Sequence, residues 1–326
     1  MLRVVFMGSA DVSAVMLDAL AYMKAAEVVG VVTQPDRPFG RHQHFMPCPC
    51  KAKADVNGLT IICPEHLNCP EVYATLKVWA PDLIVVVAYG QFLRREILEL
   101  PPLGCINIHL SLLPKYRGAS PVQHAILAGD TITGVTAMMM DAGMDSGDIL
   151  MQARESILPG DTASSLHDRL TLLGAVMLLR VVRQAELGEL KRVEQDHALA
   201  TYAPKLKKED GLINWHLPAA ELVLRVRALN PWPACFTWVP HRVKGGKCLR
   251  TKILRAEAVA RVPRREPAYQ PGEICDVRGA GPVVMCGTGG LRLVEVQPEG
   301  ARPMSGKALI NGCQLSPGDR MDVCEL

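Results

Sequence analysis

Two side chains suited to acyl chemistry stand two residues apart in the stretch CINIHLSLLPKYRGASP, residues 105–121. If this stretch opens as a β-strand, Asn107 and His109 leave it on one face, because side chains alternate along a strand. An asparagine amide can donate a hydrogen bond to a developing oxyanion, and a histidine can transfer a proton near neutral pH. A buried structural histidine is the alternative interpretation of His109 taken alone.

A turn-rich segment downstream, MDAGMDSGDIL at residues 140–150, supplies the carboxylates Asp141, Asp145 and Asp148. A carboxylate beside a histidine orients the imidazole and favours its protonated form, as a general base requires. No serine or cysteine occupies a nucleophile elbow of the G-x-S-x-G kind. The set therefore favours direct acyl transfer to a substrate nucleophile over a covalent acyl-enzyme.

The segments before these residues alternate between strand-like and helix-like patterns. The run LIVVV at residues 83–87 is typical of a strand buried on both faces of a parallel sheet. Strand-like LRVVFMG and EVVGVVTQ flank the helix-like SAVMLDALAYM. This alternation predicts an α/β fold with a Rossmann-like, mostly parallel sheet whose ligand cleft lies at the carboxyl edge.

The sequence pattern changes after the helix-like residues 162–187. Residues 191–211 are polar, include Pro204 and are typical of an interdomain linker. Short strand-like pieces separated by Gly and Pro then predict a small, OB-like β-barrel. The predicted domains are a catalytic domain at 1–189, a linker at 190–208 and a C-terminal domain at 209–326.

The balance of charged residues also differs between the two predicted domains. Residues 1–203 hold 17 Lys and Arg against 21 Asp and Glu, whereas residues 204–326 hold 19 against 12. A basic barrel beside an acidic sheet predicts that the second domain holds a polyanion. A solvated basic face without a partner is the alternative.

The composition predicts a cytoplasmic protein. No charge-free stretch reaches the roughly 18 apolar residues of a membrane span, and the N-terminal segment makes a poor export signal. The eleven cysteines are scattered and include no C-x-x-C pair, so reduced thiols are expected.

One group of possible metal ligands lies in HQHFMPCPC, which contains His42, His44, Cys48 and Cys50. Their spacing differs from the C-x₂₋₄-C spacing of structural zinc sites. A polar surface loop from Pro35 to Pro49 without a metal is the preferred interpretation.

Several motifs occur in the order and at the spacing of a known family: FMGSADVSA, VVTQPDRPFGR, VVVAYGQFL, GCINIHLSLLPKYRGASPVQHAILAGD, TGVTAMMMDAGMDSGD and RALNPWP. In these the chain resembles the methionyl-tRNA formyltransferases, which belong to the 10-formyltetrahydrofolate-dependent formyltransferases. The Asn-x-His segment with its downstream aspartate is shared by the whole formyltransferase group. The TQPDRP loop, the AYG turn, the NPWP element and the basic barrel narrow the resemblance to the tRNA enzymes.

The resemblance implies a site, a co-substrate and a partner. The implied catalytic residues are Asn107, His109 and Asp145. The implied 10-formyltetrahydrofolate site is formed by Ser111, Leu112, Leu113, Pro114, Ala88, Tyr89, Gly90 and Asp141. Contacts with initiator methionyl-tRNA are expected at Arg41, Lys205, Lys207 and Lys208. The expected enzyme is monomeric, needs no metal and has no membrane partner.

The chain departs from the family pattern in three places along the sequence. Leu110 stands where the family has glycine, which predicts a more crowded backbone beside the folate. Ala10 and Val12 replace the usual proline and phenylalanine near the expected methionyl site. His42 and His44 stand where lysines are usual, which predicts a weaker electrostatic grip on tRNA at that loop.

Other functions with the same core remain open at this point. The acceptor could be glycinamide ribonucleotide, an amino-sugar nucleotide or, in a formyltetrahydrofolate hydrolase, water. A glycinamide ribonucleotide enzyme would end near the linker, and a sugar enzyme would not be expected to carry so basic a second domain. A non-catalytic RNA-binding protein is the alternative from a different class.

Overall fold

A computed structural model describes residues 1–39, 44–241 and 248–322 of the 326-residue chain. Its contacts divide the chain into two compact units. The first comprises Met1–Pro121, Ile132–Ser156 and His167–Pro204, and the second comprises Val122–Thr131, Ile157–Leu166 and Lys205–Leu326. The predicted residues Arg41 and His42 lie outside the described part of the chain, as does the side chain of His44.

Strands and helices alternate along most of the chain up to residue 187, as the apolar patterns predicted. In chain order they are β1 Leu2–Gly8, α1 Asp11–Ala21, β2 Ala26–Val32, β3 Arg37–Phe39, β4 His44–Met46, α2 Pro49–Val56, β5 Ile61–Ile62, α3 Pro70–Trp79, β6 Leu83–Val87, α4 Arg95–Leu98, β7 Cys105–His109, α5 Pro121–Leu127, β8 Ile132–Met139, β9 Ile149–Ser156 and α6 Ala163–Leu187.

A seven-stranded mixed sheet organises the first unit, with the strand order β5-β2-β1-β6-β7-β8-β9. The pairings from β5 to β7 are parallel, and β8 and β9 join in antiparallel orientation. This arrangement confirms the Rossmann-like, mostly parallel sheet. Strand β7 is therefore paired with parallel β6 on one side and antiparallel β8 on the other.

Burial explains why β6 lies at the centre of this sheet. Its residues from Leu83 to Val87 are between 0% and 6% exposed. Each such side chain gains roughly 1.5–3 kcal/mol from burial, and β-branched residues suit a pleated surface. The strand ends in a tight turn, where Ala88 has φ +43° and Gly90 has φ +87°.

The predicted loop from Pro35 to Pro49 contains a short two-stranded sheet. Strands β3 and β4 pair in antiparallel register, with Arg37 opposite Met46. Each strand has only three residues, too few to show an alternating pattern, which is why the sequence predicted an irregular loop. The following helix α2 has Cys48 at its N-cap, and the Sγ atom accepts from the Lys51 amide at 3.5 Å.

Among the described residues, the C-terminal segment of the second unit, Lys205–Leu326, contains an antiparallel sheet and two α-helices. Its elements are α7 Ala219–Ala228, β10 Cys235–Pro240, β11 Cys248–Val259, β12 Ile274–Asp276, β13 Val283–Met285, β14 Gly290–Pro298, β15 Met304–Ser305 and α8 Gly306–Cys313. The strand order is β10-β11-β14-β13-β12, with β15 also paired to β14. The predicted C-terminal domain of short strands is confirmed as a separate antiparallel sheet, whereas α8 was not predicted.

The core of the second unit is formed by aliphatic side chains from its helices and strands. They include Leu222 and Val226 on α7, Ile253 on β11 and Leu293 on β14, each at most 1% exposed. The apolar positions of α7 and of the strands thus face one another across a common core.

The polar segment predicted as a linker is partly ordered against the first unit. Gln195 is 3% exposed and Ala203 is 0% exposed. One short 3₁₀ helix spans His197–Leu199, and another spans Lys208–Gly211. The boundary between the contact units at Pro204 falls inside the predicted linker.

The cysteines of the described chain are mostly free thiols. Nine are free, and five of them are fully buried with raised pKa values. Cys248 is disulfide-bonded, so the expectation that every cysteine is reduced is wrong at this position. Within the described residues no helix is both long and apolar enough to cross a membrane.

Candidate active site

Strand β7 places Asn107 and His109 beside the same side chain, the carboxylate of Asp145. The Nδ2 atom of Asn107 lies 3.4 Å from Oδ1 of Asp145. The Nδ1 atom of His109 lies 3.7 Å from Oδ2 of the same carboxylate. The alternation of side chains along β7 therefore does place both residues on the face that meets the aspartate loop.

His109 is held from both sides of its ring. It is 6% exposed, and its Nε2 atom lies 2.9 Å from the carbonyl oxygen of Tyr116. A carbonyl oxygen only accepts, so the hydrogen bond assigns the proton to Nε2. In the neutral ring Nδ1 is then the basic nitrogen, and it is the nitrogen that faces Asp145.

Asp145 adopts a backbone conformation that few residues tolerate. Its φ is +50°, a region in which Asp and Asn are enriched among non-glycine residues. Its Oδ2 atom accepts a hydrogen bond from the Gly118 amide at 2.7 Å. The carboxylate is 16% exposed, so it is fixed and largely shielded from solvent while facing His109.

The loop after β7 supplies the backbone hydrogen-bond partners of the His109 and Asp145 side chains. Tyr116 has φ +62° and Gly118 has φ +117°. A Cβ atom at Gly118 would lie 2.8 Å from the carbonyl oxygen of Ala203. Glycine is thus required both by the conformation and by the close approach of residue 203. The turn aims the Tyr116 carbonyl at His109 and the Gly118 amide at Asp145.

These groups can perform acyl transfer without a protein nucleophile. The Asn107 amide has two N–H donors, and only one of them points to Asp145. The second can stabilise a negative oxygen, while Nδ1 of His109 can accept a proton that Asp145 helps to stabilise. Of the three aspartates in the loop, only Asp145 has this position. Asp141 is exposed and accepts from Ser146 and from the Gly143 amide.

Two domain families match consecutive parts of the chain. A family described as formyl transferase matches residues 2–182. A family described as formyl transferase, C-terminal domain, matches residues 205–314. The chain belongs to the formyl transferase family.

Relatives of known name agree with this formyl transferase assignment along the whole chain. The methionyl-tRNA formyltransferase of Symbiobacterium thermophilum is 47% identical over 100% of this chain and 97% of its own. That of Geobacter metallireducens is 43% identical over 98% of each chain. The resemblance inferred from the motifs is thereby confirmed.

A solved structure shows the same formyl transferase fold. WlaRD, a sugar 3N-formyl transferase crystallised in the presence of dTDP and 5-N-formyl-THF, matches with a TM-score of 0.63. The match covers 93% of this chain and 99% of that chain at 17% identity, which speaks to the fold alone.

The segment expected to contact folate in this formyl transferase is held rigidly. Ser111 is 0% exposed and donates to the carbonyl of Lys115 at 2.7 Å, and Leu113 is 3% exposed. Thr136 donates to the Ser111 carbonyl at 2.7 Å, and Gln152 donates to the Leu113 carbonyl at 2.8 Å. Leu112 and Pro114 are half-buried. The side chains of Ser111 and Leu113 are therefore directed into the protein.

The remaining expected folate residues differ in exposure. Ala88, Gly90 and Asp141 are exposed, whereas Tyr89 is 2% exposed. Burial raises the pKa of the Tyr89 phenol to about 12, and its hydroxyl has no hydrogen-bond partner among the described residues. Tyr89 is therefore a neutral core residue, and its carbonyl accepts from Gln34 at 2.9 Å.

Leu110, the departure from the family glycine, is 9% exposed. Its side chain is thus buried next to His109 and is not displayed at the surface. Val12 is 4% exposed on helix α1, and Ala10 is its N-cap residue.

The expected tRNA-contacting lysines, Lys205, Lys207 and Lys208, are all exposed.

Among the described residues no cluster of His, Cys, Asp or Glu is arranged to hold a metal ion. Cys50 is 0% exposed inside α2, and Cys48 lies 2.6 Å from the hydroxyl of Thr33.

Sequence reasoning missed two buried polar residues near the site, Arg117 and Gln195, which are 4% and 3% exposed. Arg117 lies in the KYRG stretch of the loop that follows β7, and this proximity in sequence to His109 was the available signal. Gln195 gave none, because it stands among exposed polar residues.

Proposed function

We propose that the protein transfers the formyl group of 10-formyltetrahydrofolate to the amino group of methionine on initiator methionyl-tRNA. The observation that carries the proposal is that Asn107 and His109 of β7 both face the carboxylate of Asp145. Family membership supplies the formyl chemistry, and full-length relatives named methionyl-tRNA formyltransferase supply the acceptor.

In the proposed reaction the methionine nitrogen attacks the formyl carbon directly. A new C–N bond forms to the amine, and the carbonyl oxygen becomes an oxyanion. The free N–H of Asn107 donates to that oxyanion. Collapse of the tetrahedral species breaks the bond between the formyl carbon and N10 of the folate.

The proton balance assigns the role of His109. The attacking amine loses one proton and N10 of the folate gains one. Nδ1 accepts the amine proton, because Nε2 is occupied by the Tyr116 carbonyl. The Asp145 carboxylate, 3.7 Å away, stabilises the resulting imidazolium. The same nitrogen can then return the proton toward N10.

The folate is proposed to lie along the carboxyl edge of β6 and β7. Ala88 and Gly90 present exposed groups there, and Asp141 is exposed on the loop between β8 and β9. Leu112 and Pro114 are half-buried, and Ser111, Leu113 and Tyr89 contribute by holding the backbone. This position follows the general rule that ligands of open α/β sheets bind outside the carboxyl ends of the strands.

The acceptor is proposed to be held by the basic C-terminal part of the chain, with contacts at Lys205, Lys207 and Lys208 and at Arg41. The excess of 19 Lys and Arg over 12 Asp and Glu after residue 203 favours a polyanion. Since charged initiator tRNA is a cytoplasmic substrate, we assign the enzyme to the cytoplasm.

A competition among acceptors tests the function. Purified protein receives 10-formyltetrahydrofolate carrying a labelled formyl group with one of four acceptors: charged initiator tRNA, charged elongator tRNA, glycinamide ribonucleotide or an amino-sugar nucleotide. We expect label in the initiator tRNA at the highest kcat/KM. Label entering a small-molecule acceptor, or release of free formate without an acceptor, would refute the proposed acceptor while retaining the chemistry.

A further inference from the structure

Gln195 is buried in a stretch that is otherwise exposed. It is 3% exposed, while its neighbours Glu194 and Asp196 are exposed. Its Nε2 atom donates to the carbonyl oxygens of Asp145 at 2.9 Å and of Gly147 at 2.7 Å. The side chain thus donates hydrogen bonds to the backbone on both sides of residue 146, in the loop between β8 and β9 that carries Asp145.

Arg117 determines which way this amide points. The guanidinium is 4% exposed, and its Nη2 and Nε atoms lie 2.8 Å and 3.3 Å from Oε1 of Gln195. Nη2 also lies 2.9 Å from Nδ1 of His197. A guanidinium only donates and carbonyl oxygens only accept, so the reversed amide would lose all its hydrogen bonds to Arg117, Asp145 and Gly147.

The same loop that carries Arg117 also carries the direct partners of the reactive side chains. The Tyr116 carbonyl meets His109, and the Gly118 amide meets Asp145. Gln195 therefore connects the two loops through side chains at the position where they also meet through Gly118. Because Asp145 has φ +50°, a backbone conformation that is strained for most residues, surrounding contacts must hold it.

We propose that Gln195, oriented by Arg117, is a positioning residue that sets the distance between the Asp145 carboxylate and His109. The proposal rests on the function proposed above. Gln195 touches no reacting atom; it acts through the carbonyl groups of Asp145 and Gly147. Its removal lets the loop relax, and misplacement of a catalytic group by about 1 Å can cost about 100-fold in rate.

Two substitutions separate positioning from general stability. Gln195→Ala removes every hydrogen bond of the amide. Gln195→Glu keeps an acceptor for Arg117 but replaces both donors by an oxygen that repels the carbonyls of Asp145 and Gly147. We expect kcat to fall about 10- to 100-fold in both variants, with KM for folate and for tRNA changed less than about threefold. The thermal midpoint of the Glu variant should stay near that of the unmodified protein, because the ion pair with Arg117 compensates the lost bonds.

Asn68 provides a matched control in the same unit. Its Nδ2 donates to the Phe92 carbonyl at 2.8 Å and its Oδ1 accepts from the Arg94 amide at 2.9 Å. Asn68→Ala also removes an amide that joins two loop positions, but away from Asp145. We expect it to lower the thermal midpoint while leaving kcat within about twofold.

A double-mutant cycle with Asp145→Asn decides the mechanism. If Gln195 acts through the Asp145 carboxylate, adding Gln195→Ala or Gln195→Glu to Asp145→Asn lowers the single-turnover rate by less than about threefold. The same fold loss in both backgrounds would overturn the proposal, as would a folded Glu variant with full kcat. The unmodified protein in the same assay reports on the proposed function, so the two failures are distinguishable.

Discussion

Asn107 and Asp145 are separated by 38 residues in the chain, yet the amide nitrogen of one lies 3.4 Å from the carboxylate of the other. This contact joins strand β7 to the loop between β8 and β9. Among the described residues no acceptor meets the second N–H of Asn107, which leaves it available to a substrate oxygen. Each role proposed for the site can be tested separately.

Removing the Asn107 amide should impair turnover without unfolding the protein. Asn107 is half-buried in the middle of β7. Asn107→Ala should lower kcat by about 10²–10³-fold, the usual cost of one oxyanion donor. Steady-state kinetics with a binding measurement for folate checks this. Normal turnover in a folded, folate-binding variant would remove Asn107 from the mechanism.

Asp145→Asn tests the charge of the carboxylate with little change of shape. Asparagine tolerates the positive φ of this position, so a loss of activity reports on the missing charge. We expect kcat to fall about 10²–10⁴-fold, the usual contribution of general acid–base catalysis, and the ascending limb of the pH–rate profile to shift or disappear. The profile of kcat against pH is the measurement.

Asp148→Asn is the matched control, because Asp148 belongs to the same loop and its carboxylate accepts no hydrogen bond from the described residues. Its kcat and pH profile should match those of the unmodified protein. Equal behaviour of the two variants would mean that Asp145 has only a structural role.

Leu110 should prove to be a core residue and not a removable obstruction beside the folate. It is 9% exposed, so Leu110→Ala should cost about 2–3 kcal/mol of unfolding free energy through lost burial and a cavity. Leu172 is 64% exposed on α6, and Leu172→Ala should change stability by less than about 0.5 kcal/mol. Urea denaturation of both variants gives the comparison. A stable Leu110 variant with tighter folate binding would support the crowding expected from the sequence.

Alkaline pH should destabilise the fold through its buried thiols. Burial raises the pKa of Cys50, Cys105, Cys235 and Cys286 to about 12 from an ordinary value of 9.0. Between these values the unfolded thiol has lost its proton and the folded thiol keeps it. The free energy of unfolding therefore falls as pH rises above 9.0, by up to about 1.4 kcal/mol per pH unit for each thiol.

Urea denaturation across the alkaline range measures this slope, and Cys105→Ala should make it shallower, since one titrating thiol is removed. An identical slope in the variant would show that other groups cause the loss of stability.

Charge reversal at Lys205, Lys207 and Lys208 should weaken binding of tRNA but not of folate. All three lysines are exposed, and phosphate contacts give a slope of about −0.7 to −0.9 in log K against log salt for each neutralised phosphate. We expect a higher KM for tRNA, a smaller salt slope and an unchanged folate affinity. Lys24 and Lys77 are also exposed, and their reversal should leave both affinities as they were. An unaltered tRNA KM after the first reversal would exclude these lysines from the interface.

Local pattern was sufficient for much of the fold. The apolar run of β6 and the helical period of α6 are properties of neighbouring residues, so their type could be assigned before the structure. The three-residue strands β3 and β4 and the helix α8 were missed because so few turns or alternations leave no usable period. The family, too, was identifiable from motifs in order along the chain.

The composition of the candidate site was encoded in the sequence, but its geometry was not. The two-residue spacing of Asn107 and His109 determined that they share a face, because strand geometry has a period of two. The residue types alone left Asp141, Asp145 and Asp148 as equal candidates, and it was the family resemblance that implied Asp145. The tertiary structure supplies the physical reason, since a left-handed backbone and the Gly118 amide select one carboxylate from three. The burial of Gln195 could not be predicted from its polar stretch. It depends on hydrogen bonds to residues distant in the chain, which only folding brings together.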